Sequence, residues 1–174
     1  MKQTIFLFLG IILTYIIIGN GISNSNLIPD EAIRIRVIAN SNSDYDQKIK
    51  YNVKDSIEKD IYDMLSNAKN IDTARYILKQ NLSNIENTIS NALNEQNYNL
   101  PFDVNFGLNY FPKKEFKGVT YNEGYYESLV VTLGNGEGDN WWCVLFPPLC
   151  LIEAEDSSDV EYTTMVKTII DKYF

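Results

Sequence analysis

Alternation comes first along the chain. Ile33, Ile35, Val37 and Ala39 share one side of an extended run and Arg34 and Arg36 take the other, the period of a strand over 33–40 with its two arginines on a solvated face. The period then lengthens. Ser43 followed by Asp46 and Gln47 is a helix-entry signal, and Ile49, Val53, Ile57, Ile61 and Leu65 recur every four residues, predicting a helix over 46–67. Asp72 is placed to cap a second helix reaching about Gln96, with Leu78, Leu82, Ile85, Ile89 and Leu93 as its apolar stripe. Such stripes are read as core packing.

From Pro101 the two-residue period returns in Val104, Phe106, Leu108 and Tyr110, followed by strand candidates at 119–121, 127–133 and 141–146, the last stopped by Pro147-Pro148. A helix over 160–173 carries Met165, Val166, Ile169 and Ile170. A strand, two helices and then several strands predict an α+β domain: a mainly antiparallel sheet with two long amphipathic helices packed on one face.

The first 23 residues stand apart. Lys2 is the sole charge before Asp30; the apolar run Ile5–Ile18 follows, then Gly19, Gly21 and Ser23. That order predicts a secretory signal cleaved near Ser23, with an uncleaved N-terminal membrane anchor as the alternative. Residues 24–32 read as a linker, 33–152 as a single α+β domain, and 153–174 as an acidic linker and C-terminal helix. Export makes a Cys143–Cys150 disulfide chemically permissible and leaves free thiols as the other state.

Charge and composition narrow the function classes. The 174 residues carry 15 Lys and Arg against 23 Asp and Glu, net -8, with no basic block, which argues against nucleic acid as a partner. With no histidine, the usual general base, the Ser-His and Cys-His pairs and the commonest metal ligand are gone, so Ser128 and Ser157 have nothing to activate them. Two cysteines without CxxC spacing predict no thiolate metal site, and no cofactor is expected.

Gly134-Asn135-Gly136-Glu137-Gly138 superficially suggests a phosphate loop, but a strand rather than a helix follows it, so it reads as a long hairpin connection. Glu137, Asp139 and Asn140 lack the ligand number of a calcium loop. Glu123 and Glu127 are the carboxylates a glycoside hydrolase would need, and solvation is their default role. What stands out is aromatic density in the C-terminal half. Adjacent Trp141 and Trp142 on one strand must point to opposite faces, so helices on one face leave the other indole turned outward, as an interface anchor or a sugar platform.

Gly136-x-Gly138-Asp139-Asn140-Trp141-Trp142-Cys143-Val144-Leu145-Phe146-Pro147-Pro148-Leu149-Cys150, with Ile35-Arg36-Val37-Ile38-Ala39-Asn40-Ser41 and Tyr110-Phe111-Pro112, resembles the stage II sporulation protein R family of endospore-forming bacteria over roughly 33–152. Asn122 and Ser128 stand where that family tends to have Pro and Ala. The resemblance implies a non-enzymatic protein exported from the forespore into the intermembrane space. There it would activate the membrane-embedded aspartic protease of the mother cell, stage II sporulation protein GA, which matures pro-sigma-E. Expected contacts are Tyr126, Asn140, Trp141, Trp142, Phe146 and Pro147, with Cys143 and Cys150 bracing the loop. From another class, an envelope carbohydrate-binding or peptidoglycan-remodelling protein would use the same aromatics with Glu123, Glu127 or Asp139. A passive structural protein of the septum is the third reading.

Overall fold

The computed structural model describes residues 27–151 and 158–174; the expected signal segment and most of the expected acidic linker lie outside the described residues. The elements run β1 (Ile33–Ile38), α1 (Asp44–Leu65), α2 (Ile71–Gln80), α3 (Leu82–Glu95), β2 (Phe102–Phe111), β3 (Lys114–Phe116), β4 (Val119–Tyr121), β5 (Gly124–Leu133), β6 (Asn140–Phe146), a 3-10 turn (Leu149–Leu151) and α4 (Asp159–Tyr173).

This is an α+β fold. The four-stranded sheet has the order β2-β5-β1-β6, with β1 and β5 parallel and the other two pairings antiparallel. β3 and β4 form a separate antiparallel pair. Among the described residues no helix is long and apolar enough to cross a membrane.

One face of the sheet carries α1, α2 and α3. The α1 stripe of Ile49, Val53, Ile57 and Ile61 is fully buried against Ile33, Ile35 and Val37 of β1 and Leu129, Val131 and Leu133 of β5. Ser43 caps α1 by accepting the Asp46 amide at 3.1 Å. The expected single second helix is instead two. Asn70, not Asp72, is its cap, accepting from the Thr73 amide, and α2 stops at Asn81, whose amide bonds back to the Ile77 and Leu78 carbonyls. The apolar stripe passes through this break unchanged because both segments pack on the same core.

The other face is covered too, contrary to the one-sided expectation. The β3–β4 pair and α4 bury Phe111, Val119, Tyr121, Tyr126, Trp142, Val144, Tyr162 and Val166 in a second cluster. Ile28 and Ala32, within the expected linker, belong to that cluster. Apolar periodicity finds strand and helix faces, but a second layer assembled from a short hairpin and a terminal helix leaves no comparable period.

A further correction concerns the 134–139 segment. It closes no hairpin, because β1 lies between β5 and β6 and the loop must pass over the C-terminal end of β1. It does so by binding the chain beneath: the Glu137 and Gly138 amides donate to the Asn40 and Ala39 carbonyls, and Asn40 and Asn42 side chains accept from the Asn135 and Asp139 amides. A Cβ on Gly138 would run into the Ser41 carbonyl, and one on Gly134, held at φ +57, into the Asn40 side chain.

Candidate functional site

The expected contact residues start from β6. A strand alternates its side chains, so Trp141 and Cys143 face the α1 side while Trp142 and Val144 face the second layer. Between Ile33 and Arg34 the β1–β6 register shifts, a bulge that lets Phe146 join Ile33 in the α1-side core.

Neither indole is turned outward as expected. Trp142 is 8% exposed, edge-on to Phe111 at 5.4 Å and to Tyr121 at 5.1 Å between ring centres. Trp141 is half-buried with the Lys54 ammonium 5.2 Å from its ring centre. Tyr126, Phe146 and Pro147 are buried, and Asn140 is half-exposed. The structure therefore brings Tyr126 and Trp142 together in one layer and leaves Asn140 and Trp141 as the accessible members of the set. Both cysteines are free thiols and partly buried.

The solvated arginine face is corrected as well. Arg34 is 1% exposed, its guanidinium carbon 3.3 Å from the Tyr126 ring centre and within 6 Å of the Phe111 and Trp142 rings. Its Nε and Nη1 have no hydrogen-bond partner. Burial lowers the Arg34 pKa from its ordinary value, opposed by Tyr126. Arg36 bonds the Tyr110 carbonyl at 3.3 Å and is lowered by burial alone. A buried cation tolerated without a carboxylate needs the ring faces that surround it.

An accessible aromatic patch lies elsewhere. Where β2 and β5 extend past the helices, Leu108 is 74% exposed and Tyr125 72%, and Tyr125 meets Tyr110 edge-on at 5.6 Å. β2 is an edge strand. Leu108 and Tyr110 continue the alternation of Val104 and Phe106, which pack on the α1-side core, but are themselves exposed.

The carboxylates have structural employment. Glu127 receives the Arg75 Nε on both oxygens, at 2.7 and 2.9 Å, and Glu123 accepts the Tyr110 hydroxyl at 3.2 Å. Asp46 accepts from the Asn40 amide and the Ser41 hydroxyl, which hold its pKa below the usual carboxylate range. Among the described residues no group of three His, Cys, Asp or Glu side chains is arranged to hold a metal ion.

The described residues thus combine an arginine–aromatic layer, carboxylates bound into the chain's own framework and an exposed aromatic edge. The sequence model of the stage II sporulation protein R family matches residues 29–156, and the chain belongs to that family. It is 38% identical over 135 residues to stage II sporulation protein R of Bacillus subtilis (strain 168), covering 78% of this chain. The match spans 60% of that relative's length. Neither name is that of an enzyme. No solved structure matches.

Proposed function

We propose that this chain is an exported sporulation signal, made in the forespore, that activates the membrane-embedded aspartic protease of the mother cell, stage II sporulation protein GA, and so brings about pro-sigma-E maturation. Membership of the family, through a match that includes both the β1 motif and the Trp-Trp-Cys strand, carries this reading. The chemistry agrees with it: a histidine-free chain whose Glu127 is tied to Arg75 acts more readily by contact than by bond cleavage.

Activation by contact requires that the ligand bind the active state of the protease better than the inactive one, since equal affinity shifts nothing. Of the expected contacts, Asn140 and Trp141 are the ones able to touch a partner directly. Tyr126, Trp142, Phe146 and Pro147 support the layer beneath. The Leu108–Tyr110–Tyr125 edge is a second accessible surface for the same partner.

The test is co-expression of the full chain, the protease and pro-sigma-E in a host that has none of them. Cleavage of pro-sigma-E should need all three. Cleavage at the same rate without this chain overturns the reading. With the wild-type signal in hand, Trp141→Ala and Tyr125→Ala assign the contact to one edge of the sheet or the other.

A further inference from the structure

We propose that Cys143 and Cys150 are an oxidisable dithiol, closed into an intramolecular disulfide by exchange with a low-molecular-weight disulfide or a disulfide-bearing oxidoreductase. Cys143 sits on β6, and Cys150 in the 3-10 turn beyond Pro147-Pro148. The chain doubles back between them, with the Leu149 amide bonding the Pro147 carbonyl at 2.7 Å. Both sulfurs consequently address one acceptor: the Val144 carbonyl oxygen lies 3.0 Å from the Cys150 Sγ and 3.8 Å from the Cys143 Sγ. Two thiols converging on one oxygen are close enough to meet with side-chain rotation.

A cavity of about 390 Å³ between α1, the end of β6 and α4 gives a reagent access, with Cys150, Tyr62, Pro148 and Tyr173 among its walls. Cys150 is the cysteine on the cavity wall and so the one an oxidant meets; burial pushes its thiol up, so it must lose a proton before it attacks. The Cys150 thiolate attacks one sulfur of an oxidant RSSR, forming a Cys150–SR mixed disulfide and expelling RS⁻. Cys143 then loses its proton and attacks the Cys150 sulfur, the Cys150–SR bond breaks, and a second RS⁻ leaves. The protein is oxidised by two electrons, RSSR is reduced to two RSH, and the two thiol protons end on the products.

The product fixes the Pro147-Pro148 turn to β6, the strand that carries Trp141 and Trp142. A protein held reduced where it is made and oxidised after leaving would acquire this brace only outside.

The experiment titrates the purified, fully reduced chain with oxidised glutathione and reads intact mass, free-thiol alkylation and the thermal midpoint. The expected product is a monomer about 2 Da lighter than the reduced chain, with neither cysteine alkylatable, and with a higher midpoint. Cys143→Ser, checked for folding by circular dichroism, should instead stall as a glutathione adduct on Cys150. A wild-type chain that keeps a stable glutathione adduct, links into dimers through these cysteines, or retains two alkylatable thiols at full oxidation overturns the proposal. The wild-type measurement stands if the variant does not fold, and it is independent of whether the protease is activated.

Discussion

Replacing each tryptophan of the adjacent pair by alanine separates the two roles the structure gives them. Trp142 is enclosed on the second-layer side by Phe111 and Tyr121, with the cations of Arg34 and Lys114 at 5.6 and 5.1 Å from its ring. Truncating a buried aromatic costs about 3–5 kcal/mol, because the lost burial is joined by a cavity that neighbours fill only in part. Two edge-on ring contacts place Trp142→Ala at about 4 kcal/mol, in the upper part of that range. Trp141 is half-buried under a lysine, so Trp141→Ala loses only part of its transfer term, about 1–2 kcal/mol. With a urea slope of about 2 kcal/mol per molar, the midpoints fall by about 2 M and about 0.5–1 M respectively. Far-UV circular dichroism is the appropriate probe, since both variants lose a fluorophore. Equal shifts, or a larger one for Trp141→Ala, would mean that α4 and the β3–β4 pair do not seal the second layer in solution. The contrast matters for function: a processing defect in the stable Trp141→Ala reports contact, whereas one in Trp142→Ala follows the loss of fold.

Arg34→Met tests the aromatic box. Two unpartnered guanidinium nitrogens cost about 1–3 kcal/mol each, against about 2 kcal/mol from a desolvated cation–ring contact, so the variant should be neutral or more stable by up to about 4 kcal/mol in urea unfolding; a loss above about 2 kcal/mol refutes the reasoning. Asp46→Asn tests the junction between β1 and α1. The folded carboxyl sits below the unfolded value of about 3.9, so its stabilisation is complete above that pH and is lost as pH falls through the lower folded value. The variant should therefore be less stable by about 1.5–3 kcal/mol at pH 7, and the gap to wild type should close on acidification below about pH 4; a gap unchanged at low pH would deny the charge its part.

The elements themselves were readable because their apolar residues recur at the period of a strand or a helix. Ile49 to Leu65 placed α1 to within two residues at each end, and the alternation in β1 placed a strand. What failed shares one physical cause. The roles of Arg34, Arg36, Trp142 and the 134–139 loop depend on which strand lies beside which and on what covers the far face, and neither is encoded in local period. A parallel β1–β5 pairing converts an apparent hairpin into a loop over a strand end, and it turns two arginines expected in water into the floor of an aromatic layer. A signal was present: short Val119–Tyr121 and the apolar side of the last helix had no surface to cover on a one-sided sheet.

The segments that resemble the family converge on one structural unit. Asn40 and Ser41 receive the glycine loop and Asp46, Gly138 has room for no side chain, and Trp142 closes on Phe111 from the Tyr110-Phe111-Pro112 segment. These residues are thus accounted for by the passage of one loop over β1 and the sealing of the second layer, before any partner is considered. A motif so consumed by packing identifies the fold and positions the edges, and recognition must then be read from side chains that the packing leaves free. On the sheet these include Asn140 and Trp141 on β6 and Leu108, Tyr110 and Tyr125 on β2 and its neighbour β5, at opposite margins. On the proposed reading, a partner that favours one conformation through this domain would grip an edge, and changes in the motif would act by altering how firmly that edge is held.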